Sequence, residues 1–510
     1  MTAAFDEAGF AGPYDAGCAQ LVWRRIIDDL ETPVSAYLKI AQGRPYAFLF
    51  ESVEGGAWRG RYSIIAMNPD LVWQCKGEQA EIATDDGDGL SAFARQAAPG
   101  LDSLKEVLAR SRLDIPEGLP PMAGGVFGVL GYDMARLAER LPGVNPDPLG
   151  LPDGVLIRPT IVAVFDAVAQ EIILMTTVRA GSAPAAAALE AAWARLDAVA
   201  ADLAKPLFPA RQTADVPSPQ PLESTLGRAG FGRLVERAKA YIRAGDIFQV
   251  VPSHRFSMPF TRDPFSLYRS LRRANPSPFL FYLAYPDFAL VGSSPEILVR
   301  LREGKITIRP LAGTRPRGAT PLEDLALEAE LLADEKERAE HLMLLDLGRN
   351  DVGRVAMLGA AGNQDQKGPK GSPRVRVTES FKIERYSHVM HIVSNVEGDA
   401  PDGLDPVDVV MAALPAGTLS GAPKLRAMEI IDELETAKRG VAYAGAVGYF
   451  GADGSVDTCI VLRTGLIKDG VLYVQAGAGV VADSDPASEY EETLHKSAAL
   501  ARAAAEAWRF

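Results

Sequence analysis

Cysteine is almost missing from this chain. Three residues, Cys18, Cys75 and Cys459, are spread over 510 positions, and no CxxC pair occurs. That excludes a thiolate zinc framework and a disulfide scaffold, and it points to a reducing cytoplasm. Long apolar runs are missing too: no stretch approaches the roughly 20 residues that a membrane helix needs. The opening, MTAAFDEAGF, has no basic segment before an apolar one and does not read as a signal peptide. Positive charge is short, with 53 Lys and Arg against 66 Asp and Glu and a net charge of −13. Such a chain has no broad electrostatic footprint for a nucleic-acid backbone or an anionic membrane, and a few local Arg and Lys must hold any anionic substrate. Signature motifs are absent as well. There is no GxSxG elbow. PAGTLSGAPK at 415–424 lacks the GK[ST] ending of a phosphate loop, and AGAGVV at 476–481 is no full GxGxxG opening a helix. Both segments still allow a backbone to approach a small anion closely.

What is present is the balance of a packed globular protein, 47% hydrophobic and 23% charged. The length suggests two to four domains. Residues 205–225, KPLFPARQTADVPSPQPLEST, form a Pro-rich linker or extended crossing, and 360–374 form a second polar, Gly/Pro-rich break. Residues 180–201 are alanine-rich and predict a helix. Strand-like runs at 71–75 and 80–83, at 161–165 and 171–175, and at 461–467 and 471–475 flank turn signals, the last around Asp469-Gly470. Phe231, Val235, Ala238 and Ile242 keep a helical period that Gly245 ends. Hairpins mixed with long helices predict an α+β protein. GGVFGVLGYD at 124–133 is faintly echoed by AGAVGYFGAD at 444–453, as two related sheets could produce.

Two carboxylate pairs stand out. Asp334 precedes Glu337 and Glu340 in a capping pattern, and Asp485-Pro486 opens a helix that carries Glu489 and Glu492. Each pair has i,i+3 spacing and shares a helix face. Separately, the pairs read as solvated helix surfaces. Brought together, four carboxylates repel unless protonated or bridged by a cation, and hard oxygen donors favour magnesium over zinc. His388 and His391 lie in YSHVMHIVSNVEG; on a strand, residues three apart face opposite sides, so one faces a site and the other a core or solvent. A histidine is the best available general base near neutrality. The residues by themselves reach a magnesium-dependent enzyme acting on a small carboxylate.

Taken together the motifs carry a resemblance. They are FLFESVEGG at 48–56, GDIFQVVPSHRF at 245–256, NPSPFLFYL at 275–283, GSSPEILVR at 292–300, RPLAGTRPRG at 309–318 and DEKERAEHLMLLDLGRNDVGRV at 334–355. The histidine and glycine segments above and AGAGVVADSDPASEYEETLHKS at 476–497 complete the series. The chain resembles the chorismate-utilising enzymes, most closely the large aminase subunits of anthranilate synthases, from about residue 33 to the last helix.

That resemblance implies two antiparallel sheets packed as a sandwich with flanking helices. It divides the chain into residues 20–204 with part of a tryptophan regulatory site, the linker 205–225, and a chorismate-binding region 226–510. It implies amination of chorismate at C2 with loss of the C4 hydroxyl, then pyruvate elimination to anthranilate. Glu340 and Glu492 are similar to direct magnesium ligands, with Glu337 and Glu489 in a water-mediated shell. Tyr443, Arg463 and the Gly477-Ala478-Gly479 backbone match positions that bind the enolpyruvyl carboxylate. Gly313, Thr314, Thr418 and Lys496 line the remainder, and His391 matches the residue that takes the C2 proton. Gln249 and Ala312 stand where isochorismate-forming and aminodeoxychorismate-forming relatives carry lysines, which favours ammonia as nucleophile over those alternatives. Ammonia-driven turnover should therefore climb as pH rises toward 9. No GxCxGxQ-like glutaminase motif occurs, so a separate glutamine amidotransferase subunit and a hetero-oligomer are implied. Glu51, Ser52, Pro278, Phe279 and Leu280 fall at the family's tryptophan feedback site; Phe279 and Leu280 depart from its usual Tyr-Met. Residues 361–373 look like an insertion.

Overall fold

The computed structural model describes residues 5–52, 60–85, 87, 89–143, 145–207, 220–358, 375–386 and 389–510. Most of the linker, the 361–373 insertion and His388 lie outside them. The described chain is a mixed α/β protein built on a large antiparallel ladder with helices packed against it. No helix among the described residues is long and apolar enough to cross a membrane.

The hairpins form where the turn chemistry puts them. Lys468 pairs with Val471 around Asp469-Gly470, whose φ angles of +51° and +73° are those of a type I′ turn. That strand begins at Thr464 rather than 461, because Arg463 takes φ +48° and breaks the ladder. Tyr62–Lys76 and Gln79–Thr84 close around Gly77-Glu78. Gly154–Asp166 pairs with Glu171–Val178 as the 161–175 pattern predicts. The alanine-rich helix runs over Ala185–Leu203, starting after Pro184. Helix Gly227–Ala244 buries Phe231, Leu234, Val235 and Ala238 and ends on Gly245 at φ +83°.

The repeated Gly/aromatic segments do not mark two related sheets. Gly125–Leu130 and Ala446–Gly451 are neighbours in one ladder, with Gly128 opposite Gly448. A Cβ on Gly128 would lie 2.2 Å from the Val155 carbonyl oxygen, and one on Gly448 would lie 2.1 Å from that of Asp457. The echo therefore reflects backbone crowding on both flanks of this strand pair, which glycine alone tolerates.

Strands from before and after the linker share the ladder. Ala47–Glu51 pairs with Phe279–Ala284, Leu280 lying opposite Glu51. Three large apolar clusters sit beneath it, and each draws on residues from both halves of the chain. This interleaving lets residues hundreds of positions apart meet in one cleft.

Candidate active site

Two helices bring the acidic residues. Glu335–Leu358 starts where the Asp334 carboxylate accepts the backbone N–H groups of Lys336 and Glu337 at 3.0 and 3.2 Å. Pro486–Glu506 starts at Asp485, which accepts from the Ser488 N–H, with Pro486 in the first turn. Burial first, then the charges of Glu337 and Glu492, raise the Glu340 carboxyl above its ordinary range. Burial and the charge of Glu492 raise Glu489, against a hydrogen bond from Ser484. The four carboxylates thus lie within electrostatic reach of one another. Gln249 Nε2 donates to Glu340 Oε1 at 3.4 Å, and a Cβ on Gly313 would lie 3.3 Å from Glu337 Oε2. Lys496 Nζ spans Glu492 Oε1 at 2.5 Å and the Gly477 carbonyl at 3.0 Å.

Among the described residues no three such donors converge into a ready metal shell. The set still fits a hard divalent cation in kind. It offers only oxygen donors near the cleft, and the burial and, after it, the mutual repulsion that raise Glu340 and Glu489 both disfavour unpaired carboxylates, which such a cation relieves.

The second wall carries His391. Its strand, Val389–Asp399, pairs with Leu311–Pro316 and sets His391 opposite Thr314. His391 Nδ1 lies 2.9 Å from Thr314 Oγ1 and 3.2 Å from the Gly313 carbonyl. A carbonyl only accepts, so Nδ1 carries the hydrogen and Nε2 keeps its lone pair. Burial first, then the Arg463 charge, lower this imidazole to about 4. It is neutral at pH 7 and in the form a base requires.

The third group meets around a residue that sequence reasoning missed. Thr418 Oγ1 donates to Glu296 Oε2 at 3.3 Å, and Arg463 interacts electrostatically with both Glu296 and His391. Burial raises Glu296 to about 8, against the stabilising effects of Thr418, a Leu311 backbone contact and Arg463. Glu296 is therefore a carboxylic acid at neutral pH. Its one sequence signal is a lone carboxylate directly before the apolar run Ile297-Leu298-Val299 in GSSPEILVR. Glu296, Gly417 and Thr418 line a cavity shared with Pro310, Leu344 and Leu347.

The end of strand Val471–Gly477 closes the cleft. A Cβ on Gly477 would meet the Tyr443 hydroxyl at 2.8 Å and the Pro252 carbonyl at 2.6 Å. One on Gly479 would meet Gln249 Nε2 at 2.7 Å, and Ala478 between them is fully buried. Backbone crowding at the Pro252 carbonyl excludes a side chain at Gly477, whereas the group nearest Gly479 is the end of the Gln249 side chain.

The five residues picked out for effector binding gather elsewhere. Glu51 is buried and clasped by the Tyr268 hydroxyl and by Arg272, whose Nε and Nη2 donate at 2.9 and 3.1 Å. Leu280 lies opposite it on the next strand, with Phe279 and buried Pro278 preceding. Ser52 Oγ is buried and meets no hydrogen-bond partner among the described residues. Glu51 is thus already paired with protein groups, whereas the Ser52 hydroxyl has hydrogen-bonding capacity that no described residue uses.

Comparison with known proteins was made against this geometry. Residues 46–502 match the family model described as chorismate binding enzyme. A protein of Cereibacter sphaeroides named anthranilate synthase component 1 is 53% identical over 503 residues, covering 98% of this chain and 97% of the relative. The protein of that name from Pseudomonas putida is 48% identical over 484 residues, 94% of this chain and 93% of its own. Among solved structures, anthranilate synthase component I from Streptococcus pneumoniae TIGR4 superposes with a TM-score of 0.74 at 36% identity, covering 94% of this chain and 99% of that one. The menaquinone-specific isochorismate synthase of Escherichia coli, at 19% identity and a TM-score of 0.69 over 96% and 95% of the two chains, shares the fold.

Proposed function

The chain belongs to the chorismate-binding enzyme family, and from that premise we propose that it aminates chorismate at C2 and eliminates pyruvate to give anthranilate, the committed entry into tryptophan synthesis. The observation that carries this reading within the family is the identity of the two nucleophile-side residues. Gln249 is a buried neutral amide and Ala312 a buried methyl, so neither can activate water or attack C2 itself. Ammonia is left as the attacking group.

Loss of the C4 hydroxyl needs a proton, and neutral Glu296 can donate it, leaving water. Ammonia then forms the new C–N bond at C2. In the second half, His391 Nε2 removes the C2 proton as the C3–O bond to the enolpyruvyl group breaks, with pyruvate released and the ring aromatised. Arg463 offers a fork for a substrate carboxylate, and the family resemblance adds Tyr443 and the Gly477 backbone to the same carboxylate's binding. Magnesium would be held by Glu340 and Glu492, backed by Glu337 and Glu489, and would neutralise the ring carboxylate. Ammonia would come from glutamine through a separate amidotransferase component, in a cytoplasmic hetero-oligomer. The sandwich reading of the fold belongs here too; several distinct buried clusters suit a ladder folded back on itself.

Product analysis tests the assignment. Purified protein with chorismate, magnesium and ammonium salt should yield anthranilate, and glutamine should be inert until the amidotransferase is added. Isochorismate or 4-aminodeoxychorismate as the main product would replace the reading with that of a sister enzyme.

His391→Met should stall the elimination rather than the amination. Removing a general base costs about 10²-fold or more on its own step, so the aminated intermediate should accumulate in the chromatogram. Normal anthranilate formation without that intermediate would remove His391 from the role.

We place the tryptophan site at Ser52, since a ligand's ammonium or carboxylate would satisfy its open hydroxyl. A buried bond to a charged group is worth about 1.5–3 kcal/mol, so Ser52→Arg, which also fills the space, should raise the inhibition constant at least tenfold. An unchanged inhibition curve would move the effector site elsewhere.

A further inference from the structure

One buried ion pair touches several segments beside the carboxylate end of the cleft, yet the chemistry above does not use it. Arg439 is 2% exposed and Glu435, four residues earlier across the loop that follows helix Lys424–Leu434, is 6% exposed. Arg439 Nη2 meets Glu435 Oε1 at 2.5 Å, and Nε contacts both carboxylate oxygens at 3.2 and 3.0 Å. Two further donors are committed: Nη1 to the Leu419 carbonyl and Nη2 to the Val251 carbonyl, each at 2.7 Å. Leu419 follows Thr418, and Val251 lies two residues beyond Gln249. The guanidinium stacks over Tyr443 at 5.3 Å and over Tyr132 at 4.7 Å. Glu435 passes the arrangement on. Its Oε1 accepts from the Ser253 N–H at 2.8 Å and the Ser253 hydroxyl at 2.9 Å, and Ser253 lies opposite Gly477 in the strand register.

The geometry is unusual in energetic terms. A fully buried pair carries a large desolvation cost and is commonly no better for stability than apolar packing. This pair, however, satisfies two backbone carbonyls, a backbone N–H, a hydroxyl and two aromatic faces at once. Four of those groups belong to or adjoin cleft-lining residues. Only a planar fork fits this role: a lysine in the same place would supply one compact charge and could not reach both carbonyls while stacking.

We propose that Arg439, clamped by Glu435, is a positioning residue that fixes the Tyr443 ring and the Gly477 backbone, and with them the pocket for the enolpyruvyl carboxylate of chorismate. This rests on the functional reading above. Arg439 does not touch the substrate; it acts through Tyr443 on one side and Ser253 on the other.

The test compares full-length wild type with Arg439→Lys, Tyr132→Leu and Tyr132→Phe, measuring the thermal midpoint and, with ammonium salt and magnesium, kcat and the KM values for chorismate and ammonia. Displacing a binding wall by a fraction of an ångström should raise the chorismate KM of Arg439→Lys about tenfold or more, with the ammonia KM within about twofold of wild type. Tyr132→Leu removes one stacking face without unpairing a buried charge, so its chorismate KM should rise roughly threefold. The Tyr132 hydroxyl has no hydrogen-bond partner among the described residues, and Tyr132→Phe should match wild type. An Arg439→Lys protein that folds with a lower midpoint but a wild-type chorismate KM overturns the proposal. If that variant does not fold, a wild-type chorismate KM in Tyr132→Leu overturns it. Failure of the wild type itself to consume chorismate would instead overturn the functional reading.

Discussion

Glu340→Gln and Glu492→Gln should each lose turnover by about 10³-fold or more while the protein stays folded. The estimate comes from the several kcal/mol of charge stabilisation that a bound divalent cation supplies, at 1.36 kcal/mol per tenfold in rate. Excess chelator should do the same to the wild type, and added magnesium should reverse it. Stability gives an independent readout of opposite sign. Burial and the neighbouring carboxylates raise Glu340 above its unfolded value. Its ionisation therefore costs the folded state stability, a cost that grows as pH rises from the ordinary carboxylate range through the raised value. Glu340→Gln removes the cost, so in chelator its thermal midpoint at pH 7 should exceed that of the wild type. Magnesium should raise the wild-type midpoint and leave the variant's nearly unchanged. Wild-type rates in both variants, or full activity in chelator, would remove the metal from the mechanism.

The parts of this site that were legible in the sequence are those set by local chemistry. Asp469-Gly470 specifies its hairpin, Asp485-Pro486 starts its helix, and Glu337–Glu340 and Glu489–Glu492 share faces because i,i+3 neighbours must. That the two helices face one another was not readable from spacing; the resemblance supplied it. Glu296 and Arg439 were illegible for a different reason. A lone Glu between two strands and an Arg in the loop after a helix are ordinary until the fold buries them, and the groups that meet them there come from elsewhere in the sequence, Thr418 and Arg463 for the first, Val251 and Leu419 for the second. The paired Gly128 and Gly448 were visible as a repeat, but their cause, strand backbones pressed together, exists only in three dimensions. Ser52 was singled out by resemblance; its unpartnered hydroxyl adds a physical reason for attention.

Glu296 changes the pH dependence that the nucleophile alone predicts. Free ammonia increases with pH, so the ammonia-driven rate should climb through neutrality. Glu296, however, serves as a proton donor only while protonated, and burial holds it at about 8. Above that pH the acid form disappears while free ammonia continues to rise. The two terms nearly cancel, so the steady climb toward pH 9 should give way to a plateau or maximum near pH 8. His391 adds no limb in this range, since it titrates at about 4 and is already neutral. Glu296→Gln preserves shape and the Thr418 contact but has no proton to give. Loss of a general acid costs about 10²–10⁴-fold on its step, so kcat should fall by that much with chorismate binding largely kept. The surviving rate should lose the alkaline break and follow ammonia ionisation alone. Folding offers a control on the assignment: the raised carboxyl destabilises the native state as pH rises from the ordinary glutamate range through about 8, so Glu296→Gln should be more stable than wild type at pH 9 and should gain least at pH 5. A variant with near-normal kcat, or one that keeps the alkaline break, would show that the leaving hydroxyl receives its proton from another group.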